Sequence, residues 1–292
     1  MIIDIHAHLE PRILPLPELI RRMDQDGVKK TFLISHLTNP PETKKAEFPV
    51  AVQRFMFYHR PLRRLAFALT KSMYRKKGEW NLWLNKISSH SAKFSIILKP
   101  DNSSVVNAIA QYPGRFNGWI FVNPGLNDAL ETIDQYSNVR GMIGIKIHPF
   151  WHHFSLVKAE PVIRRAGELK MPVLIHLGFE DFDRFAWLPE KYNKVNFIFA
   201  HLGIPFYADL WRRFMGRANV FFDVASTYHV DACLIQLAVK MLGARRILFG
   251  TDAPYGREDS IVRIKQWIAS LPVSDGEKAM IFFENSRRIF RL

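Results

Sequence analysis

A single cysteine, Cys233, stands in 292 residues, so no internal disulfide can form and a reducing compartment is expected. No run of 18 or more apolar residues occurs, which leaves no candidate for a helical membrane span. The first apolar run begins at Ile2, too early for a cleavable leader, and the expected location is the cytoplasm. There is also no glycine-rich turn after that run, no phosphate-binding loop and no nucleophile elbow. Dinucleotide, nucleotide and serine-hydrolase chemistries therefore have no anchor here. Acids are scarce as well: 27 Asp and Glu against 41 Lys and Arg leave a formal net charge of +14. The imbalance is local, because residues 42–99 hold 13 Lys/Arg and 3 Asp/Glu, a net of +10.

What is present is ample apolar material, 48% of residues with 23 Phe and 7 Trp, enough for one large α/β core. It arrives in short runs that read as buried strands: 2–8, 28–35, 119–124, 141–149, 172–178, 196–203, 220–226 and 247–254. Helical stretches are expected after them at 16–26, 101–112, 125–137, 159–170, 183–192, 205–216, 230–242 and 258–270, with a last helix over 276–290. Gly27 follows the first helix where a C-cap belongs. Strand–helix alternation implies parallel pairing, and eight units predict a closed (β/α)8 TIM barrel over 1–292, a single domain. The spacing breaks once, where residues 40–99 form a basic helical insertion after strand two. Leu62, Leu65, Ala66, Leu69 and Met73 fall on one helical face there, with Arg63, Arg64, Lys71, Arg75, Lys76 and Lys77 largely elsewhere, and Trp80 and Trp83 follow. A βα loop opens onto the rim where barrel active sites sit, so this insertion is expected to serve as a lid.

The strand ends carry the chemistry. His6 and His8 are two apart and project from one face of an extended strand. His176 ends strand five and Asp252 ends strand eight, so all four converge on one rim and are expected to hold a divalent metal. Zinc is the first expectation, with manganese and iron compatible with three nitrogens and one oxygen. Asp252 is expected to be ligand and proton acceptor together, the alternative being ligand only, because an ion of this kind lowers the pKa of its water to roughly 7. His201, ending strand six, reads as a catalytic imidazole or a fifth ligand, and otherwise as a hydrogen-bond partner of Asp252. Lys146 and His148 share a face of strand four. Lys146 has three readings: a cation for an acidic substrate, a carbamate bridging two metals, or a salt bridge to an interior acid such as Asp4. His148, Trp151 and Tyr255 are expected to touch substrate. Phe150, His152, His153, Glu180, Asp181, Tyr228, His229 and Arg257 are further loop candidates, all aromatic or polar.

Taken together, HxH in DIHAH, His176 in LIHLG, His201 in AHLG, Asp252 in GTDAP and the closing ENSRRIFRL resemble the amidohydrolase superfamily. Within it they resemble the amidohydrolase-related branch of decarboxylases and lactone or amide hydrolases. The resemblance covers strands one and three to eight with the final helix. It implies a (β/α)8 barrel with one zinc-like ion on His6, His8, His176 and Asp252 and with His201 catalytic. Lys146 in GIKIH looks like the lysine carbamylated in binuclear members, so a second metal is expected only if that modification occurs.

The leading expectation is hydrolysis of an amide, ester or lactone bond in a small anionic substrate by metal-activated water. Non-oxidative decarboxylation would use the same ligands and deliver a proton to carbon. Nucleic acid is not expected as a partner, since phosphoesterases of this type want two metals and no strand-four Glu supplies a bridge. The basic segment 54–86 admits other uses, a homodimer or partner surface and a docking site for an anionic membrane.

Overall fold

The computed structural model describes residues 1–39, 50–75, 79–81, 93–154, 156–178 and 185–292. In chain order its strands are β1 (Ile2–Leu9), β2 (Val28–Ser35), β3 (Thr38–Asn39), β4 (Tyr74–Arg75), β5 (Glu79–Asn81), β6 (Lys93–Ile96), β7 (Phe116–Phe121), β8 (Met142–Ile147), β9 (Val173–Ile175), β10 (Phe197–Phe199), β11 (Val220–Asp223) and β12 (Ile247–Leu248). Eight of them form one all-parallel sheet in the order β1-β2-β7-β8-β9-β10-β11-β12. Helices intervene, as parallel crossovers require. Sheet and barrel meet at a seam: Ile5 N donates to Phe249 O at 3.0 Å, Asp252 N to His6 O at 2.7 Å, and Ala7 pairs with Ala253. The expected TIM barrel is the observed fold.

Strands buried on both faces read as unbroken apolar runs, and the two faces serve two cores. Ile5, Phe32, Trp119, Leu174, Ile198, Phe221 and Leu248 fill the barrel interior, joined by Ile289 and Phe290 from the last helix. Val28, Ile120, Ile145, Ile175, Phe199 and Phe222 face outward to the helices. β1 changes sides partway. Its register slips between Asp4 and Ala7, so Ile3 and Ile5 pack inside while Ala7 and Leu9 pack outside. The slip turns His6 and His8 inward at the strand's C-terminal end.

The boundaries moved in places. Strand three is Phe116–Phe121 rather than 119–124. Strand six stops at Phe199 and gives way to a tight turn over Ala200–Gly203. The final helical stretch widens into a π turn at Met280–Glu284. Of the helix expected at 183–192, Leu188–Lys191 is formed, and its beginning lies outside the described residues.

The insertion is more than helical. Helices Val50–Tyr58 and Arg60–Met73 are accompanied by an antiparallel sheet ordered β3-β6-β5-β4. Residues 40–49, 76–78 and 82–92, including Lys76, Lys77 and Trp83, lie outside the described residues, as do the side chains of Leu69 and Met73. The expected apolar face is also corrected. Leu65 is 58% exposed whereas Arg63 is buried beside Ala66. The Arg63 guanidinium donates to Asp209 Oδ2 at 2.8 Å and lies over the Phe206 ring. A buried cation is tolerated where an acid and an aromatic face meet it, and those partners sit 143 and 146 residues away, out of reach of helical periodicity.

One close approach sets the interior packing. A Cβ at Gly144 would lie 2.4 Å from Trp119 Cζ3, and the same indole donates Nε1–H to Ile5 O at 2.8 Å. Gly144→Ala must push a hydrogen-bonded, fully buried ring. Overpacking of this kind costs about 1–3 kcal/mol, which urea unfolding would register as a lowered midpoint. An unchanged midpoint would show that the indole has room to move.

Candidate metal centre

His6, His8 and Asp252 come together at the C-terminal mouth of the barrel, with ligand atoms all within 4.8 Å of one another. His6 Nε2 and His8 Nε2 are 3.7 and 3.4 Å from Asp252 Oδ1. Each imidazole is turned by its other nitrogen. His6 Nδ1 is 2.8 Å from Asp223 Oδ2, and His8 Nδ1 is 3.5 Å from the Ser35 carbonyl. Both partners only accept, so Nδ1 carries the hydrogen and Nε2 keeps its lone pair. Burial holds both imidazoles below their ordinary pKa, His6 despite the pull of Asp223, which keeps them neutral at pH 7. Two lone pairs and a carboxylate oxygen thus face one small volume. A divalent cation satisfies all three at once, and this donor set fits one.

His201 adds a second imidazole chain. Its Nδ1 lies 3.0 Å from the Ala225 carbonyl and its Nε2 lies 3.1 Å from His176 Nδ1. The carbonyl fixes His201 as the Nδ1–H tautomer, so His176 Nδ1 donates to His201 and the His176 Nε2 lone pair is left for the site. Burial lowers His201 to about 4 and holds His176 well below the usual range. His201 stacks on His6 at 5.1 Å, and His176 stacks on His148 at 4.2 Å. The structure therefore brings His176 beside His201, and two compact donor groups stand among the described residues: His6, His8 and Asp252, and His6, His201 and Asp223. The printed hydrogen bonds of the His201 ring are to the Ala225 carbonyl and to His176, and Asp252 acts on it through its charge.

Lys146 is fully buried on β8, and its Nζ has no hydrogen-bond partner among the described residues. Burial lowers its pKa to about 8, against the pull of Asp223 and Asp252. The salt bridge to Asp4 is not formed. Asp4 instead accepts from Thr251 Oγ1 at 2.6 Å and from the His6 and Thr251 amides, and burial raises it to about 7. His148 caps the turn Pro149–His152, its Nδ1 accepting from Trp151 N. Trp151 is buried there. Tyr255 sets its ring edge on His8 at 5.0 Å, and Glu180 and Asp181 lie outside the described residues.

Asp223 was not singled out from the sequence, although β11 ends in an acid as β12's run does. Its Oδ1 accepts from His201 N and Ala225 N at 2.8 and 3.1 Å, while Oδ2 takes His6. Burial favours its protonation, yet His6 and His201 outweigh that and hold its pKa low. Three non-glycine residues at these strand ends, His201, Ser226 and Asp252, have φ of 53°, 67° and 62°. Such left-handed backbone persists where surrounding packing enforces it.

Two outcomes follow from this geometry. Asp223→Asn puts an N–H against donors whichever way the amide turns, so metal affinity should fall about 10–100-fold, read by competition with a chelating dye. In metal-free protein, six imidazoles with lowered pKa (His6, His8, His148, His152, His176, His201) bind protons when the chain unfolds. Stability should therefore be full above about pH 6.5, the unfolded His value, and decline toward pH 4. Asp4, raised to about 7, works oppositely but alone. Urea unfolding across that range that gave a flat or rising stability toward acid would contradict the neutral cluster.

The amidohydrolase family profile matches residues 89–292. The gamma-resorcylate decarboxylase of Rhizobium sp. (strain MTP-10005) is 25% identical over 121 residues, 35% of this chain. The matched stretch spans 36% of that curated relative. Among solved structures, a Pseudomonas putida protein provisionally assigned as a 2-pyrone-4,6-dicarboxylic acid hydrolase superposes with a TM-score of 0.65 at 16% identity, covering 99% of this chain and 97% of its own. The 5-carboxyvanillate decarboxylase of Sphingomonas paucimobilis gives 0.58 at 14%, covering 100% and 99%. At such identities these two likenesses speak for the fold. The profile covers well over half of the chain and includes His176, His201 and Asp252, and with it the chain belongs to the amidohydrolase family.

Proposed function

We propose that this chain is a metal-dependent hydrolase that opens an amide, ester or lactone bond in a small anionic substrate. The observation that carries the reading is the convergence of His6 Nε2, His8 Nε2 and Asp252 Oδ1, with the buried, unpartnered Lys146 Nζ in the same barrel. The bound ion, zinc first and manganese or iron next, would supply Lewis acidity and an activated water at neutral pH. Asp252 would accept the proton that water loses and return it to the leaving group. His201 and His176, linked at 3.1 Å, would orient the substrate carbonyl, the His176 N–H turning from His201 to the carbonyl oxygen as a hydrogen-bond donor. Lys146 would hold a substrate carboxylate, because an ammonium in a dry interior gains most from an anionic partner. The insertion 40–99 would act as a lid that keeps bulk water from this volume.

Decarboxylation is the second reading, favoured by the partial likeness to gamma-resorcylate decarboxylase. It needs the same residues, with a proton drawn from water and passed through Asp252 to carbon.

Metal-loaded protein offered an unsaturated lactone dicarboxylate and a dihydroxybenzoate separates the two. Ring-opened acid without carbon dioxide is expected, with activity lost on chelation and restored by zinc or manganese. Carbon dioxide release would move the conclusion to the second reading, and no turnover of either class would sink both. About one ion per chain is expected by elemental mass spectrometry, in wild type and in Lys146→Ala alike. Two ions falling in the variant would support a lysine carbamate instead.

A further inference from the structure

Where the insertion meets the outside of the barrel it leaves a cleft. Helix Val50–Tyr58 faces helices Tyr207–Phe214 and Ala232–Leu242 across a volume of about 540 Å³. Phe55 and Tyr58 line it from the insertion, Tyr207 and Trp211 from the second helix, and Leu237 and Met241 from the third. Small-molecule sites span about 300–1,000 Å³ and combine apolar and aromatic walls with a few polar heads; this cleft matches on both counts. Tyr207 and Trp211 are buried at its back, whereas Phe55 and Tyr58 are 59% and 57% exposed. Large apolar side chains gathered in one open concavity, rather than scattered singly, mark a binding surface.

The walls are fixed in place. Arg54 Nη1 bonds both Asp231 oxygens at 3.2 and 3.3 Å, and the Arg54 carbonyl accepts from Tyr207 Oη at 3.0 Å. Next to it, Gln53 Nε2 donates to the Tyr228 carbonyl at 2.9 Å and Gln53 Oε1 lies 3.1 Å from His229 Nδ1. These bonds tie the insertion to the segments after β10 and β11, so the cleft exists before any ligand arrives.

The charge of the cleft selects its occupant. Arg54 is matched by Asp231, and Asp209 is engaged through Oδ2 by Arg63 at 2.8 Å. Arg212, which lines the cleft, reaches the other Asp209 oxygen only at 3.9 Å, and its side chain is 59% exposed. Its guanidinium therefore keeps donors for a further anion. A second copy of the chain is a poor occupant, because a symmetric contact sets one patch against itself. It would bring two sets of Arg212 and the exposed Arg64 into one interface, on chains of net charge +14. A flat lipid surface would leave the concavity unfilled. A planar aromatic ring bearing one carboxylate satisfies both features, with the ring among Phe55, Tyr58 and Trp211 and the carboxylate on Arg212.

We propose that this cleft is a binding site for an aryl monocarboxylate, with Arg212 as its anion anchor. It shares no residue with the metal centre and does not rest on the functional reading above. A ligand there touches the insertion on one side and the barrel helices on the other, and so braces the helical hairpin.

The test uses the whole metal-loaded chain carrying 13C-methyl methionine, the Met241 signal being assigned by its loss in Met241→Leu. The probe is 2-naphthoate, with 2-naphthalenemethanol as its neutral counterpart. Naphthoate should shift the Met241 methyl saturably and give nuclear Overhauser effects from its ring protons to that methyl, whether or not it also enters the metal centre. The alcohol should bind about fivefold more weakly, the scale of an ion pair at a half-exposed guanidinium. Arg212→Gln should erase that difference and leave the affinity for the alcohol unchanged; if the variant does not fold, the difference in wild type decides. A Met241 methyl that stays unmoved at millimolar naphthoate would overturn the proposal, as would equal binding of acid and alcohol in wild type. A Met241 shift that grows with protein concentration alone and tracks a dimer in sedimentation would also overturn it, and would assign the cleft to a second copy.

Discussion

The barrel closes through the backbone of His6. Its carbonyl accepts from both Thr251 N and Asp252 N, at 3.2 and 2.7 Å, so the seam between first and last strand is drawn at the residue that also offers a ring nitrogen to the centre. The neighbouring Gly250 lets this happen, since a Cβ there would sit 3.0 Å from His6 Cβ. Asp252, locked by that bond in a left-handed conformation, is brought toward His6 and His8 by the same contact. Closure of the fold and assembly of the donor set are therefore one event. A change that loosened the seam would be felt by three side chains at once, because interiors packed this densely transmit displacement.

Around the seam the protein arranges acceptors rather than charges. Ser35 O, Ala225 O and Asp223 each take one imidazole hydrogen. Burial removes water that would otherwise compete and keeps the rings neutral. Orientation of His6, His8 and His201 is then a matter of which nitrogen meets a carbonyl or carboxylate. The helices outside contribute little to this directly. Their task is to press the strands inward through the outer core of Val28, Ile145, Phe199 and Phe222.

Much of this was legible in the chain. The period-2 placement of His6 and His8, the strand-end positions of His176, His201 and Asp252, and the eightfold alternation are properties of local sequence, and local sequence decides strand faces. The phase slip in β1 was not legible: side-chain alternation counts residues, whereas a bulge is set by the partner strand. Asp223 escaped because nothing beside it in sequence marks an acid as a hydrogen-bond acceptor for a histidine 217 residues away. Arg63 was placed on the wrong face for a similar reason, since its partner Asp209 belongs to another helix. Gln53 carried no signal at all. An uncharged side chain in a basic, amphipathic stretch looks like solvent-facing polarity until Tyr228 and His229 are seen above it.

Lys146 has a consequence for electroneutrality. Below about pH 7, where Asp4 is protonated and the imidazoles are uncharged, Asp223 and Asp252 stand as anions against Lys146 as cation, a surplus of one negative charge among these groups. A divalent ion would invert that to one positive charge in a region of low dielectric, where an unbalanced charge is costly. A singly charged anion restores neutrality. A neutral ligand leaves the surplus in place, and a dianion overshoots unless one of its charges stays in water at the mouth. With the proposed ion in place, a ligand's charge would weigh before any contact of shape is made.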